Sequence, residues 1–257
     1  MKENYIPSKE EIKKVRNEID EKKNDPVLAY YFYRKISFFV SSKILVKFPI
    51  TANQITVFNF FLCLFAAVLI FSEKEFFLIF SGILIQLVII LDGVDGEIAK
   101  MKKCQSKFGG WLDGNTDIVK YIYLCVSLGF TLYQQTGGIL PFILLTTLIS
   151  TRFVSFAMAY SAEKIFSGSI HDITKVSNKT NRLSKVLGLR PEFLNFSDDI
   201  KFCLISLGVI FNKILFTMVA LSLGQCIVIF VCFFGMLKNR ELEKNKFTFV
   251  EKLNEKR

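Results

Sequence analysis

The sequence predicts an all-α, polytopic membrane bundle of about six transmembrane helices, preceded by an N-terminal amphipathic helix at the interface. Three observations predict it. About half of the 257 residues are apolar, 28 of them Phe, and mean hydropathy is positive despite 33 Lys and Arg. A soluble domain of this size needs more polar cover. The charges are also segregated, with long stretches almost free of them and basic residues gathered at the ends, as in membrane proteins. Finally, several of the apolar stretches are long enough to cross a bilayer.

Residues 1–25 form a polar cytoplasmic arm. Lys and Glu alternate through SKEEIKKVRNEIDEKK, which predicts a helix with a solvated face and no chemistry of its own. The arm has no apolar core of a cleavable signal, so targeting falls to the first membrane helix. Residues 26–48 read as a juxtamembrane amphipathic helix. Ile36, Phe39, Val40, Ile44 and Leu45 share an apolar stripe, and Arg34, Lys35, Lys43 and Lys47 lie nearer the polar side, an arrangement drawn to anionic lipid.

Residues 49–237 make up the membrane domain, with spans predicted at 55–72, 75–91, 118–133, 138–160, 202–211 and 214–237. The fifth is short, and it spans only if its helix continues through the polar residues near Asp199 inside a protein-lined site. Asn212 and Lys213 make a tight turn into the last span. Residues 238–257 are a basic cytoplasmic tail. The linkers 73–74, 134–137 and 212–213 hold only Lys74 and Lys213, whereas the arm, 100–107, 161–201 and the tail hold nearly all other basic residues. An even number of spans with both termini cytoplasmic satisfies this asymmetry.

The six cysteines (Cys63, Cys104, Cys125, Cys203, Cys226 and Cys232) form no CxxC pair and no ligand spacing with His171, the one histidine. They read as small hydrophobes, without a disulfide framework or zinc site. Nucleic acid is not an expected partner.

Between the second and third spans stands LDGVDGEIAKMKKCQSKFGGWLDGNTDIVKY. Asp92 and Asp95 are three residues apart, and Asp113 and Asp117 four apart, so each pair shares one helix face. An antiparallel hairpin brings both pairs to the cytoplasmic end of the bundle. Gly96 and Gly109 let backbone or ligand approach closely. Four such carboxylates repel unless positive charge sits among them or some are protonated. Oxygen ligands without His or thiolate suit Mg²⁺, Mn²⁺ or Ca²⁺, and two cations a few Å apart clamp a diphosphate. The arrangement points to phosphoryl-group chemistry.

These residues closely resemble the CDP-alcohol phosphatidyltransferase signature, Asp-x-x-Asp-Gly-x-x-Ala-Arg, eight residues, then Gly-x-x-x-Asp-x-x-x-Asp. Asp92, Asp95, Gly96, Ala99, Gly109, Asp113 and Asp117 all fall in place, and Lys100 stands where the family has Arg. Lys keeps the charge and loses bidentate geometry. PITANQIT at 49–56 is similar to the family's Thr-Pro-Asn-x-x-Thr, with Ala52 for Pro. The resemblance implies a nucleotide site formed by Thr51, Asn53, Thr56, Asp92, Gly96, Ala99, Lys100 and Gly109. Thr51 and Asn53 read equally as helix caps. It also implies metal ligation by Asp92, Asp95, Asp113 and Asp117, with Mg²⁺ or Mn²⁺ in two positions. Asp117 would act as general base on an acceptor hydroxyl that attacks a CDP-alcohol and expels CMP. A homodimer in the lipid bilayer is implied as well.

Basic residues near the spans are candidates for holding a phosphorylated acceptor: Arg152, Lys201 and Arg190. Each reads alternatively as an offset to nearby carboxylates, and Lys120 as snorkelling or neutralising Asp117. In wording the sequence is most similar to the membrane domain of di-myo-inositol-phosphate-phosphate synthases, which suggests inositol phosphate as acceptor. No stretch of the 257 residues reads as the cytidylyltransferase domain that accompanies some of them. CDP-diacylglycerol with glycerol phosphate, inositol phosphate or serine fits the signature equally, as does an amino-alcohol phosphotransferase. Acidic residues in membranes also mark ion pathways. A pathway distributes polar groups through several spans, whereas here they concentrate at one end of two consecutive helices. That favours the enzyme over a cation transporter or a structural metal scaffold.

Overall fold

A computed structural model describes Tyr5 and residues 7–20, 32–166, 197–231 and 233–234. All regular structure among them is helical: α1 (Lys9–Asp20), α2 (Arg34–Phe39), α3 (Ala52–Ile70), α4 (Glu75–Met101), α5 (Lys107–Thr136), α6 (Leu140–Phe166), α7 (Asp198–Ile210) and α8 (Ile214–Val231). Four of these are long and apolar enough to cross a membrane: α3, α4, the Leu140–Met158 part of α6, and α8. Helix α7 begins at Asp198, so the short apolar stretch at 202–211 does continue through polar residues. Asn212 closes the following turn at φ 50°, and the Lys213 N–H donates to the Gly208 carbonyl at 2.7 Å.

Helix α4 is the axis of the molecule, packed against α3 and α7 within the bundle and against α1 and α2 at its end. Cys63, Ala66 and Ile70 of α3 meet Ile85 and Val88 of α4, Leu124 and Leu128 of α5, and Ile205 and Val209 of α7 in one buried core. Small residues on α3 allow this close approach. Phe58, Phe61 and Phe65 on the other side of α3 are more than half exposed, as suits a lipid-facing surface. Among the described residues Cys63, Cys104, Cys125, Cys203 and Cys226 are free thiols. Cys232 and His171 fall outside the described residues.

The juxtamembrane segment winds α-helically as α2, then as a π turn over Val40–Ile44 and a 3₁₀ turn over Leu45–Lys47. It is clamped to α4. The hydroxyls of Ser37 and Ser41 donate to the two oxygens of Glu97 at 2.8 and 2.6 Å, and Arg34 lies 3.9 Å from the same carboxylate. Gly93 permits this, because a Cβ there would stand 2.9 Å from Ser37 Oγ. The buried Lys102 ammonium donates to the carbonyls of Phe48 and Ile50 at 2.6 and 2.9 Å. Desolvation lowers its pKa from the ordinary value.

The arm is less solvated than its charge pattern predicts. Ile12, Val15 and Ile19 form a stripe, and Val15 and Ile19 are buried with Val46, Ile98 and Met101. Lys103 pairs with Glu11 at 2.6 Å, and the Tyr5 hydroxyl donates to the same carboxylate. Lys103, Tyr5 and the Ser8 N–H together lower the Glu11 carboxyl to about 2.

Candidate metal and nucleotide site

The site forms where α4 ends and α5 begins. Lys103 takes a left-handed conformation (φ 53°) that turns the chain, and Ser106 caps α5 by accepting from the Gly109 N–H at 2.9 Å. The two aspartate pairs thereby face each other. Oxygens of Asp92, Asp113 and Asp117 lie within 4.8 Å of one another. Lys120, 1% exposed, sits among them and contacts one oxygen of Asp92 at 2.9 Å and one of Asp117 at 2.6 Å. It offsets part of the cluster's charge and does not snorkel. Oδ1 of Asp113 is buried without a hydrogen-bond partner. An orphaned carboxylate oxygen beside two further carboxylates is costly unless a cation completes it. An all-oxygen donor set of this kind fits a hard divalent metal.

Asp95 stands apart from this trio. It is 5% exposed, accepts from the Thr56 hydroxyl at 2.6 Å and from the Gly96 N–H at 2.6 Å, and borders an adjoining cavity of about 220 Å³. Asn53, Thr56, Gly96, Ala99, Lys100, Gly109 and Asp113 border the same cavity. A Cβ on Gly96 would meet nothing within 4 Å, so this glycine leaves room for a guest. Gly109 is different: a Cβ there would press on Asn53 Oδ1 at 3.1 Å, so its absence lets α5 lie on the first turn of α3. Thr51 does not line this cavity. Its hydroxyl caps α3 in a box with Gln54, and it borders a neighbouring cavity of about 480 Å³ shared with Asn53. Asp92 belongs to the carboxylate trio and not to the cavity wall.

A second charged cluster lies next to the first. Arg152 donates through both terminal nitrogens to the two oxygens of Asp198, each at 2.9 Å, and Lys201 reaches Oδ1 at 2.8 Å. Arg152 and Lys201 each lie 5.7 Å from the centre of the Tyr121 ring, and Lys120 lies 6.0 Å from the Phe202 ring. Tyr121, next to Lys120 in the chain, thus touches the second cluster, and Phe202, next to Lys201, touches the first. Nε of Arg152 is buried without a partner. Arg190 falls outside the described residues.

A family model described as CDP-alcohol phosphatidyltransferase matches residues 49–187. The chain belongs to that family. Among its curated relatives, the "Bifunctional IPC transferase and DIPP synthase" of Aquifex aeolicus is 28% identical over 169 residues, 65% of this chain and 36% of the relative. The protein of the same name from Archaeoglobus fulgidus is 32% identical over 54% of this chain and 26% of its own length. The "Archaetidylinositol phosphate synthase" of Pyrococcus horikoshii is 30% identical over 50% of this chain and 63% of the relative. The chain thus spans about a third or less of the bifunctional relatives.

Several residues of this phosphatidyltransferase site escape sequence reasoning. Asp198 is separated from Arg152 by 46 positions. Glu97 occupies a variable place inside the signature, yet is 2% exposed and anchors α2. Asn59 is 1% exposed with neither amide atom bonded, one turn beyond Thr56. Its one signal in the sequence is a polar residue three positions after Thr56 within an apolar run.

Proposed function

We propose that the protein transfers a phospho-alcohol group from a CDP-alcohol to an acceptor hydroxyl and releases CMP. The observation that carries this reading is the juxtaposition of Asp92, Asp113 and Asp117 with a cavity bordered by Asn53, Gly96, Ala99, Lys100 and Gly109. Two Mg²⁺ or Mn²⁺ ions held by these carboxylates and Asp95 supply, when bound, the positive charge that a diphosphate and its leaving oxygen require. The nucleotide lies in the cavity over Gly96. Lys100 meets a phosphate as a point charge. Asn53 and Thr56 offer hydrogen bonds to the base or ribose.

Asp117 takes the proton of the acceptor hydroxyl. The new bond joins the acceptor oxygen to the β-phosphorus, and the bond from that phosphorus to the bridging oxygen breaks, so the electron pair leaves with CMP. Positioning makes a carboxylate serviceable as this base. Lys120 holds Asp92 and Asp117 together and limits their repulsion. Arg152 and Lys201 offer charge-assisted donors of the kind that bind a phosphorylated acceptor. The relatives named for inositol phosphate products support inositol phosphate or a similar polyol phosphate. Helices α5 and α7 complete six spans, an even number that leaves both termini and the site on the cytoplasmic face.

The test is CMP release by purified protein with Mg²⁺ or Mn²⁺. CDP-inositol and CDP-diacylglycerol are each offered with inositol phosphate, glycerol phosphate and serine. Release with a phosphorylated acceptor and none with serine supports the reading; no release with any pair sinks it.

A further inference from the structure

The arm and the juxtamembrane helix enclose a groove of about 620 Å³ outside the transferase site. Its walls are basic from both sides: Lys9, Lys13 and Arg16 project from α1, and Arg34, Lys35 and Lys43 from α2 and the π turn. None of the described residues lining it is acidic. Its floor is apolar, formed by Ile12, Phe38 and Phe39. Phe39 is 59% exposed and continues along the segment into exposed Ile44 and Phe48.

Six cations around an apolar floor call for a ligand with both characters. A free phosphate or a nucleotide satisfies the walls and leaves the floor wet. A neutral lipid satisfies the floor and leaves the walls unanswered. We propose that this groove binds the headgroup of one anionic phospholipid, with its acyl chains running past Phe39 into the bilayer. Part of the basic wall is already engaged, since Arg34 lies 3.9 Å from Glu97 and Arg16 stacks 5.7 Å from the Phe38 ring. Lys9, Lys13, Lys35 and Lys43 therefore carry most of the selectivity. The arm acts here as one jaw of a lipid site, and the proposal is independent of the transferase reading.

The experiment uses the full chain purified in detergent and equilibrated with equal amounts of phosphatidylglycerol and phosphatidylcholine. Retained lipid is counted by native mass spectrometry, without any activity assay. One phosphatidylglycerol per chain is expected, favoured over phosphatidylcholine by about tenfold or more. Lys13→Gln lowers that preference by about fivefold, the equivalent of about 1 kcal/mol per basic residue at an anionic surface. The triple variant Lys9→Gln, Lys13→Gln, Arg16→Gln abolishes it, while Lys213→Gln, in the turn between α7 and α8, leaves it unchanged. Circular dichroism confirms that the variants remain helical, and the single Lys13→Gln decides the matter if the triple variant does not fold. Equal retention of the two lipids overturns the proposal, as does a preference untouched by Lys13→Gln. Displacement of the lipid by inorganic phosphate also overturns it, since that would mark a free-phosphate site.

Discussion

The two charged clusters of this protein are built with opposite composition. Around Lys120 stand three carboxylates, Asp92, Asp113 and Asp117, and around Asp198 stand two cations, Arg152 and Lys201. The first is rich in carboxylates, and the second is a bidentate guanidinium–carboxylate pair with an added ammonium. Partly buried charge is expensive unless paired, and Oδ1 of Asp113 in the first cluster has no hydrogen-bond partner. Under the proposed function, cations complete the first cluster. The rings of Tyr121 and Phe202 contact cations of the second and the first cluster respectively. Under the proposed function, the first cluster holds a metal-bound donor and the second a phosphorylated acceptor.

The largest effect is expected where the carboxylate cluster meets chemistry. Asp117→Asn should lower CMP release by about 10²–10⁴-fold in a protein that stays folded. Wild-type turnover in that variant would remove the functional distinction between the clusters. Next comes metal. At about 100 times its Kd a ligand adds about 2.7 kcal/mol of stability, so Mn²⁺ should raise the unfolding temperature of the wild type. Asp113→Asn should lose most of that shift, and chelation should reverse it; an equal shift in the variant would exclude Asp113 as a ligand.

Under the proposed function, the Arg152 cluster holds the acceptor. Arg152→Gln or Lys201→Gln should raise KM for a phosphorylated acceptor about 10–100-fold, since charged hydrogen bonds contribute about 1.5–3 kcal/mol. KM for the CDP-alcohol should be unchanged. A rise in donor KM instead would merge the two clusters into one site.

A smaller contrast concerns two glycines three residues apart. Gly93→Leu meets Ser37 and should cost about 1–3 kcal/mol by overpacking, read as a lower unfolding temperature. Gly96→Leu enters open space, so stability should hold while donor binding fails.

The smallest effect belongs to a balanced pair, Glu11 with Lys103. The folded pKa of Glu11, about 2, lies below its ordinary value of 4.5. Its contribution to docking the arm is therefore present above about pH 4.5 and is lost as pH falls through about 2. Hydrogen exchange in α1 should rise over that window, and Glu11→Gln should remove the dependence.

Four of the six predicted spans were legible because hydropathy and length are local properties. What hydropathy misses is that α4 continues ten residues past the predicted end at 91, through Asp92 and two glycines, since polar residues end an apolar run without ending a helix. The carboxylate trio was legible because spacings of three and four report a helix face directly. Asp95 shares that spacing and still goes elsewhere, because Thr56 takes its oxygen, a contact between helices that no spacing records. Thr51 carried its own answer in Thr51-x-x-Gln54, the pattern of a capping box. The clamp of Ser37 and Ser41 on Glu97 was hidden, since two serines a turn apart look like any polar face until a buried carboxylate opposes them.

Helix α4 spans 27 residues in one unbroken rod, about 40 Å at 1.5 Å per residue, against a hydrocarbon layer of about 30 Å. It must either tilt or protrude, and its aspartates ride on the surplus length. Bilayer thickness therefore sets the depth at which a lipid-borne and a water-borne reactant would meet. A thinner membrane lifts the carboxylates toward water, and a thicker one draws them in among the acyl chains.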